Sequence, residues 1–305
     1  MDSSSKKVIY AALAGNTLVA ITKFIAASFT GSSAMLSEAI HSVVDTGNQG
    51  LLLYGMKQAK KPASAEFPFG HGKEIYFWSF VVAIMIFAVG AGISIYEGIH
   101  SLQNPKPLED PYINYIVLVI AMLFEGAAWY YAFKEFTKAK GKWGYIEAIK
   151  REKDPSMFIV LFEDSAAMLG LAIAFLGIFL YQITGNPVYD GGASIIIGCI
   201  LGGTAIWLAY ETKGLLIGES AKAEIVEAIK KHAEKHAIVE NVNEILTMHM
   251  GPDFVLVNLS LDFSDTSLAK DVEKTISDID KKLKKQFPEI KRVFIEAEAK
   301  KRLKS

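Results

Sequence analysis

Long apolar stretches dominate the chain as far as about residue 217, and a more charged region with a different periodicity follows them. A helix needs about 20 predominantly apolar residues to cross the hydrocarbon core of a bilayer. Six stretches reach this length, and each predicts a membrane-spanning helix, because a helix satisfies its own backbone hydrogen bonds in lipid. Their approximate bounds are 8–29, 33–56, 75–99, 113–134, 156–182 and 191–211.

Basic residues lie mainly in two of the connections between these spans. The connections after the second and fourth spans hold Lys57, Lys60, Lys61, Lys73, Lys134, Lys138, Lys140, Lys142, Lys150, Arg151 and Lys153, whereas the opposite connections hold only Lys106. The positive-inside rule therefore predicts that both termini are cytoplasmic. We expect a multi-pass integral protein, in the plasma (inner) membrane if the source is prokaryotic. The first apolar run lacks a signal-peptide cleavage site, so we expect it to be retained.

The last part of the chain has the periodicity of a small mixed domain. Apolar residues recur at helical spacing in 221–236 and in 267–287, which predicts two amphipathic helices. The segments 244–250 and 254–263 flank the turn residues Gly251, Pro252 and Asp253, and alternation of apolar and polar residues in the second of them predicts strands. A final strand at 293–299 completes the order α-β-β-α-β.

The predicted fold class is therefore a membrane all-α bundle of six transmembrane helices with a small cytoplasmic α+β domain. We place the transport domain in residues 1–217 and a ferredoxin-like domain in residues 218–305. The composition agrees, because 51% of the 305 residues are hydrophobic and the mean hydropathy is +0.27. A net charge of -1 argues against a nucleic-acid partner. The single Cys199 lies in an apolar run and is expected to be buried.

The second span contains polar residues where lipid would favour apolar ones. His41 and Asp45 are four residues apart, so they lie on neighbouring turns of one helix face and can share a ligand. Glu38 and Asn48 extend this face by one turn in each direction. Ionisable groups inside a membrane are costly and usually mark substrate or proton pathways, although a lone histidine can also serve only in hydrogen bonding between helices.

The fifth span contributes Glu163 and Asp164, which point about 100° apart on a helix. A polar seam between helices is the alternative explanation for these two carboxylates. Imidazole and carboxylate together are typical ligands of first-row divalent ions, and a four-coordinate set suits zinc best. The sequence predicts a site for zinc, or for manganese, iron or cobalt, as a transported substrate, with no separate cofactor.

Other polar residues inside the predicted spans include Asn16 and Lys23 in the first and Glu125 in the fourth. We favour a lysine–glutamate pair or a hydrogen bond between helices over a proton relay for this group.

Several segments together resemble the cation diffusion facilitator family of metal-ion/proton antiporters, and the resemblance covers nearly the whole chain. They are GSSAMLSEAIHSVVD at 31–45, FGHGK at 69–73, DSAAMLG at 164–170 and YDGGASIIIG at 189–198. The sequence around His41 and around Asp164 is similar to that of the subgroup that includes the mitochondrial zinc transporters of animals. The resemblance implies alternating access with metal efflux in exchange for protons, and a homodimer in the lipid bilayer.

The chain departs from the family pattern at one expected ligand. Two residues of the fifth span usually complete the site, and here Asp164 occupies the second position but Val160 the first. We predict Glu163 as the substitute ligand, with Glu38, Asn48 or water as further alternatives.

Accessory sites known in the family are also altered. His71 and Glu66 lie near FGHGK, but a structural loop is the favoured interpretation there. Asn258, Lys270 and Glu296 occupy positions where many relatives hold metal-binding histidines, so the usual zinc cluster of the soluble domain is expected to be absent or altered.

Two other functions are alternatives to transport. An intramembrane metalloprotease needs an activated water and commonly an HExxH motif, which the sequence lacks, so no enzyme is expected. A metal sensor or non-transporting subunit that retains the architecture is the alternative favoured by the loss of the ligand at Val160.

Overall fold

The computed structural model describes residues 3–151 and 153–299. The chain forms two compact units. Within the described residues, the first takes in the chain up to Lys57 together with Phe77–Thr212. The second takes in Gln58–Tyr76 and the chain from Lys213 onwards.

Long helices make up the chain as far as Ile217. They are α1 Ser3–Thr30, α2 Ser33–Ala59, α3 Glu74–Met85, a π-helical segment Ile86–Ala91, α4 Gly92–Gln103, α5 Pro111–Ala139, α6 Tyr145–Arg151, α7 Pro155–Thr184 and α8 Val188–Ile217. The short α6 lies in a connection that the sequence pattern leaves as a loop. The third predicted span is one continuous helical stretch whose middle turn is π-helical rather than α-helical.

Four helical stretches within the described residues are long and apolar enough to cross a membrane. They are Glu74–Gln103, Pro111–Lys138, Phe158–Thr184 and Val188–Ile217. The other two long helices, α1 and α2, have 28 and 27 residues, and α2 carries the polar residues of the second predicted span. A helix of either length exceeds the thickness of a bilayer core.

The junction between α1 and α2 is tied to α8 by a carboxylate. Gly31 takes a left-handed conformation with φ 70° and lets the chain turn after α1. The Asp190 side chain then accepts hydrogen bonds from the Ser33 backbone N–H at 2.6 Å and from the Ser32 hydroxyl at 2.5 Å. Asp190 therefore satisfies a donor at the start of α2 from a distant part of the chain, as a capping residue does locally.

Helices α4 and α8 approach each other closely at glycines. A Cβ atom on Gly98 would lie 2.7 Å from the Gly191 carbonyl oxygen and 2.8 Å from the Ile195 backbone nitrogen. A Cβ atom on Gly198 would lie 3.0 Å from the Ile95 nitrogen. Small residues at such crossings let helix backbones pack directly, which is a main source of association between helices in lipid.

The second unit contains a three-stranded sheet covered by two helices. Its elements are α9 Ala223–Glu234, β1 Val239–Gly251, β2 Phe254–Phe263, α10 Ala269–Gln286 and β3 Ile290–Ala297. The strand order is β1-β2-β3, with β1 antiparallel and β3 parallel to the central β2. The predicted order α-β-β-α-β is confirmed.

The alternation along β2 separates the two faces of this sheet. Val255, Val257, Leu259 and Leu261 are fully buried and pack with Ile229, Ile279 and Leu283 of the two helices. These β2 residues therefore form the core of the domain. On the other face, Leu246, Asn258 and Phe294 are neighbours across the three strands, and Leu246 and Phe294 are exposed.

The prediction for Cys199 is wrong, because the structure places this side chain on the exposed side of α8. An apolar run in a membrane helix is apolar on all sides, so its composition does not tell which side chains face protein and which face lipid.

The glycine contact between α4 and α8 is testable by adding one methyl group. We expect Gly98→Ala to destabilise the protein by about 1–3 kcal/mol, because the backbone of α8 blocks the new Cβ atom. Gly203→Ala on α8 is the matched control, since nothing lies within 4 Å of its Cβ position. Thermal unfolding in detergent should show a lower midpoint for Gly98→Ala alone, and equal midpoints would contradict the close packing.

Candidate metal centre

Polar side chains follow one face of α2 at intervals of three or four residues. They are Glu38, His41, Asp45 and Asn48, and the exposure of Glu38, His41 and Asn48 is at most 1%. Helical spacing brings each of them next to the following one. The face predicted from sequence is therefore turned into the protein rather than toward the outside.

His41 and Asp45 form the closest pair of predicted ligands. The Nδ1 atom of His41 lies 3.2 Å from the Oδ1 atom of Asp45. Neither ring nitrogen of His41 has a hydrogen-bond partner among the described residues. A buried imidazole with both nitrogens unsatisfied is costly as a merely structural group, and it has the lone pair that a metal ligand needs.

Glu163 is held between α2 and α7. Its Oε1 atom accepts a hydrogen bond from the Asn48 side-chain amide at 2.6 Å. Its carboxyl group also lies beside the carboxyl group of Asp45. Two adjacent carboxyl groups can share a hydrogen bond only when one of them carries a proton. The result is a continuous series of contacts from His41 through Asp45 to Glu163 and Asn48.

Asp164 points to a cavity beside this series. The cavity has a volume of about 180 Å³, and its wall includes Asp45, Asp164, Glu125, Ser42 and Val160. Val160 lies on α7 one turn before Asp164, so the apolar residue that replaces the usual family ligand is part of the same wall. His41 reaches this wall only through its contact with Asp45.

The structure brings the four predicted ligands into one region, but their side chains do not meet around a single position. Among the residues it describes, no group of three or more His, Cys, Asp or Glu side chains is arranged to hold a metal ion. His41, Asp45 and Glu163 contact one another in sequence, whereas Asp164 shares only the cavity with Asp45. The identity of the ligands therefore stays a prediction.

A buried cluster of charged groups borders the cavity. The Lys23 ammonium of α1 is fully buried and lies 3.2 Å from Glu38 Oε2 and 2.7 Å from Glu125 Oε1. It also donates a hydrogen bond to the Ser42 hydroxyl at 2.8 Å. The pairing between helices favoured for Lys23 and Glu125 is confirmed, as is a hydrogen bond for Asn16, which donates to Gln49 at 3.2 Å.

Sequence reasoning missed the role of Glu38 in the lysine cluster, because it offered Glu38 only as an alternative metal ligand. Glu38 belongs to the lysine cluster, and its Oε1 atom lies where a Cβ atom on Gly170 of α7 would be. The glycine of the DSAAMLG segment is thus required by the close approach of a carboxylate to the α7 backbone. The spacing of three residues between Glu38 and His41 puts both on one face of α2. Glu125 has a lysine partner, but no spacing rule links residues as far apart in the chain as 23 and 125.

The fold and the site together define an integral membrane protein of a cation-handling class, with imidazole and carboxylate groups buried between its helices. Residues 9–217 match the profile described as the cation efflux transmembrane domain. The chain belongs to the cation efflux family, which confirms the resemblance seen in its motifs. The family and its relatives are transporters, so the expectation that the chain is not an enzyme is confirmed as well.

Three relatives show which named proteins the chain is similar to. The mouse protein named proton-coupled zinc antiporter SLC30A9, mitochondrial, is 35% identical over 260 residues, which are 84% of this chain and 46% of that protein. Metal tolerance protein C4 of Arabidopsis thaliana is 31% identical over 86% of this chain and 58% of its own length. Magnetosome protein MamM of Magnetospirillum gryphiswaldense is 24% identical over 89% and 79%. The chain thus spans about half the length of the animal relatives it matches.

The lysine cluster generates a prediction about stability. We expect Lys23→Ala to lower the free energy of unfolding by about 3–5 kcal/mol, because it leaves two buried carboxylates without their cation. Lys138→Ala is the control, since the Lys138–Glu135 pair at 2.6 Å is exposed and contributes little to stability. Unfolding in detergent measures both, and equal losses would contradict a structural role for the buried cluster.

Proposed function

We propose that the chain moves a divalent metal cation across a membrane in exchange for protons, with zinc as the first candidate. The observation that carries the proposal is the buried His41–Asp45 pair, whose atoms lie 3.2 Å apart beside a carboxylate-lined cavity. The names of the relatives support zinc and proton coupling. Manganese, iron and cobalt use similar ligands and are the competing substrates.

In this proposal the metal binds around Asp45, with His41, Asp164 and Glu163 as its ligands. The cation enters the cavity between α2, α5 and α7, and exchanges water for side-chain oxygen and nitrogen atoms. Binding requires a neutral imidazole and ionised carboxylates, so protons arriving on these groups lower the affinity for the metal. A change between two arrangements of the helices then exposes the site to the other side.

The neighbouring carboxyl groups of Asp45 and Glu163 suit this exchange. A proton shared by the two carboxyl groups has to leave when both oxygens turn to a metal ion. Metal binding and proton release are then linked at one place, without a separate proton path.

A metal sensor or non-transporting subunit is the second candidate. It is favoured by Val160 and by the lack, among the described residues, of a group of three converged ligands. Uptake of zinc by sealed vesicles separates the two functions, because a sensor binds zinc without accumulating it.

The orientation and the domain boundary are further parts of the proposal. The distribution of lysines places both termini, and with them residues 218–305, in the cytoplasm or on the equivalent side of an organelle membrane. Residues 1–217 then form the transport domain. The expected membrane is the plasma (inner) membrane for a prokaryotic source, whereas animal relatives carry the word mitochondrial in their names.

We expect His41→Ala and Asp45→Ala each to abolish zinc-dependent proton flux in liposomes, because each removes a ligand of the transported ion. His100→Ala is the matched control, since His100 is an exposed histidine near the end of α4. Flux is read from a pH dye inside the vesicles, and folding is checked by gel filtration. Unchanged flux in both site variants would refute the assigned site.

We also propose that the soluble domain forms a homodimer through the exposed face that carries Leu246 and Phe294. Exposed apolar residues aligned across strands are typical of a protein contact surface. Leu246→Asp should weaken the dimer, while Leu268→Asp, at an exposed leucine before α10, should not. Chemical crosslinking of the full chain measures the dimer, and wild-type protein that yields only monomers would remove this proposal.

A further inference from the structure

The wall of the cavity contains carboxylates from three helices, although the sequence pattern points to two. Asp45 comes from α2, Asp164 from α7 and Glu125 from α5. Val160 lies on the same wall and offers no ligand atom. Glu125 is therefore in the right cavity to supply the ligand that Val160 cannot.

The two oxygens of Glu125 have different surroundings. Oε1 lies 2.7 Å from the Lys23 ammonium. Oε2 is buried and has no hydrogen-bond partner among the described residues. A buried carboxylate oxygen without a donor is costly, and a cation in the cavity would satisfy it. One oxygen is thus fixed by the lysine while the other remains available.

Lys23 does not cancel the negative charge of the carboxylates around it. Its three ammonium donors are directed to Glu38, Ser42 and Glu125, so one positive charge faces two carboxyl groups. With both groups ionised, one negative charge remains beside the cavity. A buried excess charge requires a cationic partner.

His41 shows that more than an acidic cluster is present. Its side chain is 1% exposed, both ring nitrogens lack hydrogen-bond partners within the described chain, and Nδ1 lies 3.2 Å from the Oδ1 atom of Asp45, a residue of the cavity wall. An imidazole arranged in this way favours a transition metal over the oxygen-only ions magnesium and calcium.

Glu163 differs from Glu125 in its position relative to the cavity and in the contacts of its carboxyl group. It is absent from the cavity wall, and it is engaged with Asn48 and Asp45. Its contacts suit a residue that orients Asp45, whereas Glu125 has an oxygen to offer.

We propose that Glu125 is a ligand of the divalent cation and supplies the donor missing at Val160. The site then draws on α2, α5 and α7, with Asp45, Asp164 and Glu125 as oxygen ligands and His41 as the nitrogen ligand. This inference rests on the proposed metal-binding function. It brings in a third helix and puts Glu125 in the place of Glu163 as a ligand, while Glu163 orients Asp45.

Replacing the carboxylate with a thiolate tests the assignment directly. Glu125→Cys is made in a Cys199→Ser background, so that it holds the only thiol of the chain. Glu135→Cys in the same background is the control, because Glu135 is an exposed glutamate on the same helix. Purified protein is loaded with one equivalent of zinc, and X-ray absorption at the zinc edge detects sulfur neighbours. We expect a Zn–S distance of about 2.3 Å for the Glu125 variant and none for the control.

Affinity supplies a second measurement that does not depend on the thiolate. Glu125→Gln should raise the zinc dissociation constant at least tenfold, measured by calorimetry, whereas Glu135→Gln should leave it unchanged. Zinc bound without sulfur in Glu125→Cys, together with unchanged affinity in Glu125→Gln, would overturn this inference alone. Wild-type protein that binds no zinc would overturn the proposed function, and the inference with it.

Discussion

The burial of charge between apolar helices is the constraint on which the first unit depends. The Lys23 ammonium is entirely removed from water and lies among Glu38, Ser42 and Glu125, so a single cation joins α1, α2 and α5. In such surroundings an unpaired charge costs several kcal/mol, whereas a paired one is tolerated. These contacts determine which faces of the three helices meet, and a cavity lined by further carboxylates lies beside them.

The residues on the polar face of α2 have two different roles. Glu38 at one end belongs to the lysine cluster, and Asn48 at the other end holds Glu163 of α7. Between them lie His41 and Asp45, the pair with unsatisfied atoms. The ends of the face thus connect α2 to its neighbours, while its centre is left with the atoms that can bind a cation. This arrangement positions His41 and Asp45 while both His41 ring nitrogens and Asp45 Oδ1 have no hydrogen-bond partner among the described residues.

In the second unit, the arrangement of apolar and polar residues follows a simpler principle. Alternation along β2 sends Val255, Val257, Leu259 and Leu261 into a core closed by α9 and α10. The separation of apolar and polar positions in this unit follows the ordinary hydrophobic effect. In the membrane unit the sorting is weaker, since lipid accepts apolar side chains on the outside. Cys199 illustrates this, being apolar in context and yet exposed.

The sequence by itself determined the apolar spans, the α-β-β-α-β order, the family and the polar face of α2, because these follow from periodicity and local spacing. It also indicated that Lys23 and Glu125 pair between helices. Only the tertiary structure decided that Glu38 completes their cluster, that Glu125 and Val160 share a cavity with Asp164, and that Glu163 lies beside Asp45 and accepts a hydrogen bond from Asn48. Those relations join residues far apart in the chain, and they depend on how each helix is rotated about its axis. A segment that is apolar on nearly every side contains too little information to set that rotation.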